Sequence, residues 1–517
     1  MRSRPFHFCV LSLIVLWGGY LRAAALSDRP FWRDEVWVAE LAEQESYGAL
    51  MKGPDLPVPP LFAVTVKLLG QWVGPSELGL RLFPLLCGIA CLPLGYIVLR
   101  VLRVPRWPSL AGVAMCAGSP MLVLWSRELK QYEVEACLSL LLAWCVFHAR
   151  RFGCTAAHVV AIACVSVLGP WLGYGMVFAI GTCVLLLALP GRGGWSSALI
   201  RTAILCAIGG TASTFVLMNS IAGRQAATPS LQNFVGHWFI HPLDPADWVR
   251  AGAYAAKSSA MMVFPLSWSG DLTAKTGFAP LAGCAAVVWG AALLGFLLAW
   301  RGVEKRAVLL WTLFPWVGML IAAVLHRYPF AMPRMMVFVA PAMCLAAGVG
   351  LVRFGRILAN VLGRSSSMGI AMGMVLSCLP LLLMSPPEQR VGGWVHHDFP
   401  TLLNILAHER RADEWVVTTV EAVPSVRYYA PSGMRVAFMP MEPGTLPLLD
   451  FDYAGHVRDL FATVGDRGWI LTVSRQASVD RQLLIDEALS RGYEVAVYAE
   501  AGTEGAMGMA QLISVTR

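Results

Sequence analysis

PPLFAVTVKLLGQWVG, Pro59 to Gly74, is apolar but short, and it carries Lys67. Whether it crosses a membrane decides which side every later loop occupies, and so decides the fold. If the segment only dips into the outer face, the basic clusters Arg100/Arg103/Arg106, Arg150/Arg151, Arg192/Arg201, Arg301/Lys305/Arg306 and Arg353/Arg356/Arg364 all fall on the same side as Arg2 and Arg4. Lys and Arg then favour the cytoplasmic side at every connection, the usual bias of membrane proteins. Counting the segment as a span puts those later clusters outside. The non-crossing reading leaves Glu304 as the only acid on the cytoplasmic side before residue 385. Carboxylates near lipid are costly and usually serve a site, so acidity confined to the outer face points to function there.

The composition agrees with a membrane bundle. The 517 residues are 57% hydrophobic and 14% charged, with a mean hydropathy of +0.61, too apolar for one soluble globule. Apolar spans are expected at about 6–26, 77–101, 109–125, 134–149, 155–171, 172–190, 199–221, 278–300, 307–325, 334–352 and 367–384, against a bilayer core of about 30 Å. The first follows Arg2 and Arg4 and ends in Ala23-Ala24-Ala25, which also suits a cleaved signal peptide. An uncleaved helix is expected, because cleavage would remove the leading span. All 13 cysteines lie between Cys9 and Cys378. Without CxxC or Cys/His metal spacing they read as small packing residues.

Residues 1–384 hold 29 Lys and Arg against 15 Asp and Glu, whereas residues 385–517 hold 11 against 17. The net charge of +8 is therefore a topology signal and says nothing about nucleic acid. In the acidic tail, helix-like Phe399 to Arg411, His456 to Val464 and Val479 to Ser490 alternate with strand-like EWVVTTV, GWILTVS and YEVAVYA. The expected architecture is an all-α polytopic membrane bundle over residues 1–384, with about 11 transmembrane helices and an interfacial or re-entrant helix. A C-terminal extracytoplasmic α/β domain over residues 385–517 follows it.

Four outer segments hold the unusual residues. FWRDEVW, Phe31 to Trp37, sets Asp34 and Glu35 at the start of a surface helix, where the positive end of the helix dipole favours them. An acidic cap accounts for the pair equally well, and Phe31, Trp32 and Trp37 read as headgroup anchors. SRELKQYEVE, Ser126 to Glu135, crowds Arg127, Glu128, Lys130, Tyr132 and Glu133 into the junction of two spans. Snorkelling explains Arg127 and Lys130 better than it explains Glu128. NFVGHWFIHPLDPADW offers His237, His241, Asp244 and Asp247, but Pro242 would end a helix at His241, so a zincin-like histidine pair is not expected. HRYPFAMPRMM brings His326, Arg327, Tyr328 and Arg334 to the mouth of the bundle. The planar donor fork of arginine matches phosphate, with headgroup anchoring as the competing reading.

Together these residues suit carboxylates that hold a divalent metal or deprotonate an acceptor, with arginines on a lipid-borne phosphate. No P-loop, no GxGxxG turn with an acidic partner and no GxSxG elbow occurs, which disfavours nucleotide-dependent chemistry.

In order, FWRDEVW, PPLF followed by GPSELGLRLFPLL, SPMLVLWSRELKQYEVEA and RYPFAMPRMMVFVAPAM resemble the glycosyltransferase-C superfamily. Within it they are similar to the bacterial branch related to protein O-mannosyltransferases and the lipid A aminoarabinose transferase. The resemblance covers roughly residues 6–352, with a weaker echo in the tail. It implies an enzyme of the bacterial inner membrane that takes a sugar from a polyprenyl-phosphate donor, on the extracytoplasmic face, and gives it to a protein, lipid or glycan. It further implies Asp34 as catalytic base with Glu35 beside it. Asp34, Glu128 and His237 are the implied ligands of an optional divalent metal (Mg, Mn or Zn), and Arg127, Lys130, Arg327, Tyr328 and Arg334 the implied contacts of the donor phosphate.

The chain departs from the aminoarabinose branch where that branch has a Glu-Lys pair, since Pro57-Val58-Pro59-Pro60 stands here. Aminoarabinose as the sugar is correspondingly disfavoured. The competing class is a transporter or flippase of a lipid-linked sugar. It calls for polar residues through the depth of the bundle or an internal repeat, and neither is visible.

Overall fold

A computed structural model describes the chain from residue 4 to 517, apart from residues 25, 28, 53–57, 191–193, 224–235, 263–282, 284–285, 287–288, 291–292, 294–301, 384–397, 412–413, 420–421, 432–433, 435, 439–452, 464, 474–478 and 502–509. Most of the expected span at 278–300 thus lies outside the described residues.

Helix α1 (Arg4–Ala23) leads into α2 (Arg33–Gln44), α3 (Tyr47–Lys52) and α4 (Pro60–Val73). The 14 residues of α4 rise only about 21 Å, short of a hydrocarbon core of about 30 Å, and α4 packs on α2 and α3. It starts with proline at its first position, where the missing N–H costs nothing. It stops at Gly74, whose φ of 104° suits glycine alone. Lys67 is satisfied within the protein, donating to the Ala42 carbonyl at 2.7 Å, near the negative end of the α2 dipole.

The bundle continues through α5 (Glu77–Val101), α6 (Arg106–Ala117), α7 (Pro120–Ser126), α8 (Tyr132–Phe152), α9 (Ala156–Leu172), α10 (Met176–Ala188) and α11 (Ser197–Leu217). It is completed by α12 (Pro245–Met261), α13 (Gly302–Val324), α14 (Ala340–Val361) and α15 (Ser366–Leu383). Helices α1, α5, α8, α11, α13 and α14 are long and apolar enough to cross a membrane. The expected span at 109–125 is broken: α6 and α7 meet at 56°. Pro120 lacks an N–H, and the Ser119 hydroxyl accepts from Leu122 N at 3.4 Å, so a new helix is capped there. The expected span at 334–352 also shifts, because Pro333–Met336 is a 3-10 turn and α14 begins only at Ala340. Outward faces stay apolar, with Phe8, Leu16, Ile208, Phe215 and Val361 exposed, as lipid contact requires and water would penalise. Inside, α6 and α14 approach so closely that a Cβ on Gly348 would stand 2.5 Å from the Ala111 carbonyl oxygen, the small-residue packing of membrane helices.

The bundle has two chemically different ends. Arg151 donates to the carbonyls of Arg100 and Val101 at 2.9 and 2.6 Å, and Arg150 donates to that of Leu189 at 2.8 Å. The C-terminal ends of α5, α8 and α10 therefore share one basic end. The N-terminal ends of α5 and α8, with Arg81 and Tyr132, lie at the other.

Beyond residue 398 the chain carries α16 (Phe399–Glu409), β1 (Trp415–Thr418), α17 (Val423–Tyr429), β2 (Ala437–Phe438) and α18 (Tyr453–Thr463). It ends with β3 (Arg467–Val473), α19 (Val479–Ser490), β4 (Glu494–Ala501) and β5 (Ala510–Thr516). The strands form one sheet in the order β2-β1-β3-β5-β4. β2, β1 and β3 run parallel, and β5 is antiparallel to both β3 and β4. Both faces are covered: Trp469 and Leu471 pack with Phe399 and Leu402, while Ile470 between them packs with Leu484 on the opposite side.

Candidate active site

The polar end is built outward from Glu35. At the third helical position of α2, Glu35 turns its carboxylate back to the Trp32 N–H at 3.3 Å, satisfying an amide that a helix start leaves unpaired. It also accepts from Leu129 N at 2.7 Å, and from Arg81 Nε and Nη2 at 2.8 and 2.7 Å. Arg81 is fully buried in α5. Its guanidinium also reaches the carbonyls of Leu26, Arg29 and Pro30 at 3.1, 2.6 and 3.2 Å, and it lies 4.7 Å from the centre of the Phe31 ring. A buried charge is tolerable when its donors are used and its partner is charged. Burial by itself would raise the pKa of Glu35, but Arg81 and then Arg29 outweigh it and hold it down at about 2. Glu35 therefore stitches α2, α5 and the 26–31 loop together as an ionised group.

Glu128 is as buried, 1% exposed, but less well paired. One oxygen accepts from Arg29 Nη2 at 2.7 Å and the other from Trp32 Nε1. Burial is the main cause that raises its pKa to about 7, opposed by Arg29 and reinforced by Glu35. The two acids share Arg29 and diverge because only Glu35 has the bidentate Arg81. Arg127 donates to the Leu21 carbonyl at 3.2 Å, and its own carbonyl accepts from Arg29. Burial lowers the Arg127 pKa to about 9, with Arg29 adding repulsion.

Asp34 faces the other way. Its Oδ2 lies 3.3 Å from Arg334 Nη1, with side chains 13% and 12% exposed respectively. Lys130, buried beside them, has its pKa lowered by burial, with Asp34 opposing and Arg334 assisting. Tyr132 is within electrostatic reach of the same pair, and Tyr328 within reach of Tyr132 and Arg334. Arg334 is delivered by an unusual turn. Ala331 has φ of 53°, a left-handed conformation that costs a residue with a Cβ roughly 1–2 kcal/mol. It is held there by Ser258, which donates to the Ala331 carbonyl, and by Phe330 N, which donates to the Trp238 carbonyl at 3.1 Å. Strain kept in this way is common at functional sites.

The fold thus gathers Asp34, Glu35, Arg127, Glu128, Lys130, Tyr328 and Arg334 at one end. Arg327 is exposed, and no described contact ties it to the group. His237 contributes its backbone to the 3-10 turn Gly236–Trp238, and its side chain lies outside the described residues. His241 pairs instead with Asp247 at 2.9 Å. Among the described residues, no group of three His, Cys, Asp or Glu side chains is disposed to hold a metal ion. Both oxygens of Glu128 already accept hydrogen bonds, from Arg29 and Trp32, so Glu128 as it stands offers no uncommitted oxygen to the implied set of Asp34, Glu128 and His237.

The aromatic residues of FWRDEVW are not headgroup anchors. Phe31 and Trp37 are buried, and Trp32 hydrogen-bonds Glu128, because residues 29–31 pack against Arg81 and Glu128 rather than onto lipid. Arg29 and Arg81, which organise both buried acids, were missed as site residues in the sequence. An arginine four residues into an apolar span was the available signal, since such a residue needs a partner. The tail also reaches this end. Phe31 N donates to the Tyr429 hydroxyl at 2.7 Å, Tyr429 donates to Glu77 at 3.2 Å, and Tyr428 donates to Glu43 at 2.7 Å.

No protein-family model and no curated protein matches the chain. Among solved structures, ArnT from Cupriavidus metallidurans in the apo state matches with a TM-score of 0.50 and 13% identity, over 99% of this chain and 98% of that one. The same protein bound to undecaprenyl phosphate matches with 0.49 and 14%, over 97% of each chain. The arabinofuranosyltransferase AftD from Mycobacteria matches with 0.47 and 12%, over 99% of this chain and 41% of that one. The chain is a multi-pass membrane protein that shares its fold with ArnT from Cupriavidus metallidurans.

Proposed function

We propose that the protein is an inverting glycosyltransferase that moves a sugar from a polyprenyl-phosphate donor to an acceptor hydroxyl of a protein, lipid or glycan. The observation that carries this reading is the charge of the polar end. Asp34, Glu35 and Glu128 lie among Arg29, Arg81, Arg127, Lys130 and Arg334, with Glu133 facing Arg22 and Glu135 in reach of Tyr132 and Tyr328. Lys130 and Arg334 beside the partly open Asp34 give this largely buried end cationic groups that suit a phosphate-bearing ligand.

Asp34 is the most open of the three acids, and it adjoins Lys130 and Arg334. A proton acceptor beside a phosphate-holding pair is what displacement of a lipid phosphate requires. Asp34 takes the proton of the acceptor hydroxyl as the acceptor oxygen bonds to the anomeric carbon. The bond from that carbon to the phosphate oxygen breaks, and the lipid phosphate leaves with the electron pair. Lys130 and Arg334 meet the charge that develops there, with Arg127 and Tyr328 behind them and Arg327 at the exposed rim. Glu35 anchors the segment that carries Asp34.

The basic residues at the opposite end of the bundle support an extracytoplasmic site in the bacterial inner membrane. Ionisable residues gathered at one end, rather than spread through its depth, favour the enzyme over a transporter or flippase. The test supplies membranes with a panel of polyprenyl-phosphate sugars and an acceptor mixture. The wild type should consume one donor, whereas Asp34→Asn should insert normally and consume none. Equal consumption by Asp34→Asn would sink the assignment of Asp34, and transbilayer movement of donor without consumption would favour the transporter.

A further inference from the structure

Arg29 occupies a distinctive place. Its Nη2 lies 2.7 Å from Glu128 Oε1, 3.4 Å from Glu35 Oε2 and 3.2 Å from the Arg127 carbonyl oxygen. Three oxygen atoms from three residues converge on one nitrogen, and both carboxylates are essentially inaccessible to water. Convergent oxygens of this kind are the donor set that hard divalent cations use, but here a guanidinium sits at their focus. The second oxygen of Glu128 is committed to Trp32, and Glu35 is bidentate with Arg81. The two buried carboxylates already face Arg29, Arg81 and Arg127. A divalent ion added beside them would meet the repulsion of three guanidiniums.

We infer that Arg29 is the resident cation of the Glu35–Glu128 pair, standing where a divalent metal would otherwise bind, so that this site holds no metal. The inference bears on the same site as the glycosyltransferase reading, but it concerns cation occupancy and stands without any transfer being observed. A permanently charged, tethered cation at this place makes the acidic pair independent of metal supply and keeps the 26–31 loop, and with it Asp34, in one position.

The test measures metal directly on the purified full-length protein in detergent. Metal content is read by elemental analysis after purification without chelator, and Mn2+ and Zn2+ binding by calorimetry. The wild type is expected to carry less than a tenth of an equivalent and to show no site that depends on Glu128. Arg29→Gln, which retains hydrogen-bonding groups but removes the charge, is expected to bind Mn2+ or Zn2+ at least tenfold more tightly than the wild type. That gain should disappear in Arg29→Gln/Glu128→Gln. The inference is overturned if the wild type retains about one equivalent that is lost in Glu128→Gln. It is equally overturned if folded Arg29→Gln binds no better than the wild type. Should Arg29→Gln fail to fold, the wild-type metal content and its dependence on Glu128 still decide the matter. Failure to find a consumed donor leaves this measurement untouched.

Discussion

Asp34 and Arg334 stand 300 positions apart in the chain and 3.3 Å apart in the fold. The contact joins the start of α2 to the 3-10 turn before α14, two elements that meet only because the bundle brings their ends together. If Asp34 is the base, Asp34→Asn should reduce transfer by about 10²- to 10⁴-fold, the usual contribution of such a group, at normal membrane abundance. Arg334→Ala should act mainly on donor affinity. A KM raised at least tenfold, with a smaller change in kcat, is the expected signature in a donor titration. An unchanged KM would remove Arg334 from the phosphate site.

The pairing of Glu35 with Arg81 predicts a different phenotype. Both side chains are fully buried, and removing one member of such a pair leaves the other charge without compensation, at a cost of about 3–5 kcal/mol. Arg81→Ala should therefore lower the melting temperature in detergent and reduce yield, well beyond any effect of Asp34→Asn. Normal stability in Arg81→Ala would show that the pair does not hold the 26–31 loop.

The same pair sets an acid limit. Glu35 is held at about 2, below its ordinary value of 4.5. Its contribution is therefore fully present above about pH 4.5 and is lost as the pH falls toward about 2, on the order of 3 kcal/mol in all. The stability difference between wild type and Glu35→Gln should shrink as the pH is lowered from about 6 toward 3. A constant difference over that window would contradict the assignment of Glu35 as an ionised anchor.

Tyr429 ties the tail to the loop carrying the site, through Phe31 N and Glu77. Tyr429→Phe removes both hydrogen bonds, each worth about 1 kcal/mol, without changing the packed ring. Faster proteolytic release of the tail is expected, together with a lower transfer rate at unchanged abundance. Identical cleavage kinetics in the two proteins would mean that the contact does not hold the tail.

The two ends of the bundle make a topological prediction. With the Arg100 and Arg150/Arg151 end cytoplasmic, a C-terminal alkaline phosphatase fusion should be active and a C-terminal green fluorescent protein fusion dark. The opposite pattern would invert the proposed sidedness of the site.

Much of this was legible in the sequence because it follows from local chemistry. Pro59 and Pro60 opening a helix too short to span, Asp34 and Glu35 at a helix start, and alternation within GWILTVS each depend on a few neighbouring residues, and each corresponds to an element of the fold. The break between α6 and α7, the weakly patterned strands β2 and β5, and the shifted start of α14 were not read, because apolar content alone does not distinguish one bent span from two helices. Tertiary structure decided which charges meet. Burial assigns Glu35 to Arg81 and Glu128 to Arg29, and leaves Asp34 toward Lys130 and Arg334. Charges that are equivalent in sequence become different once water is excluded, because an ion pair is then fixed by three-dimensional distance and desolvation rather than by chain separation.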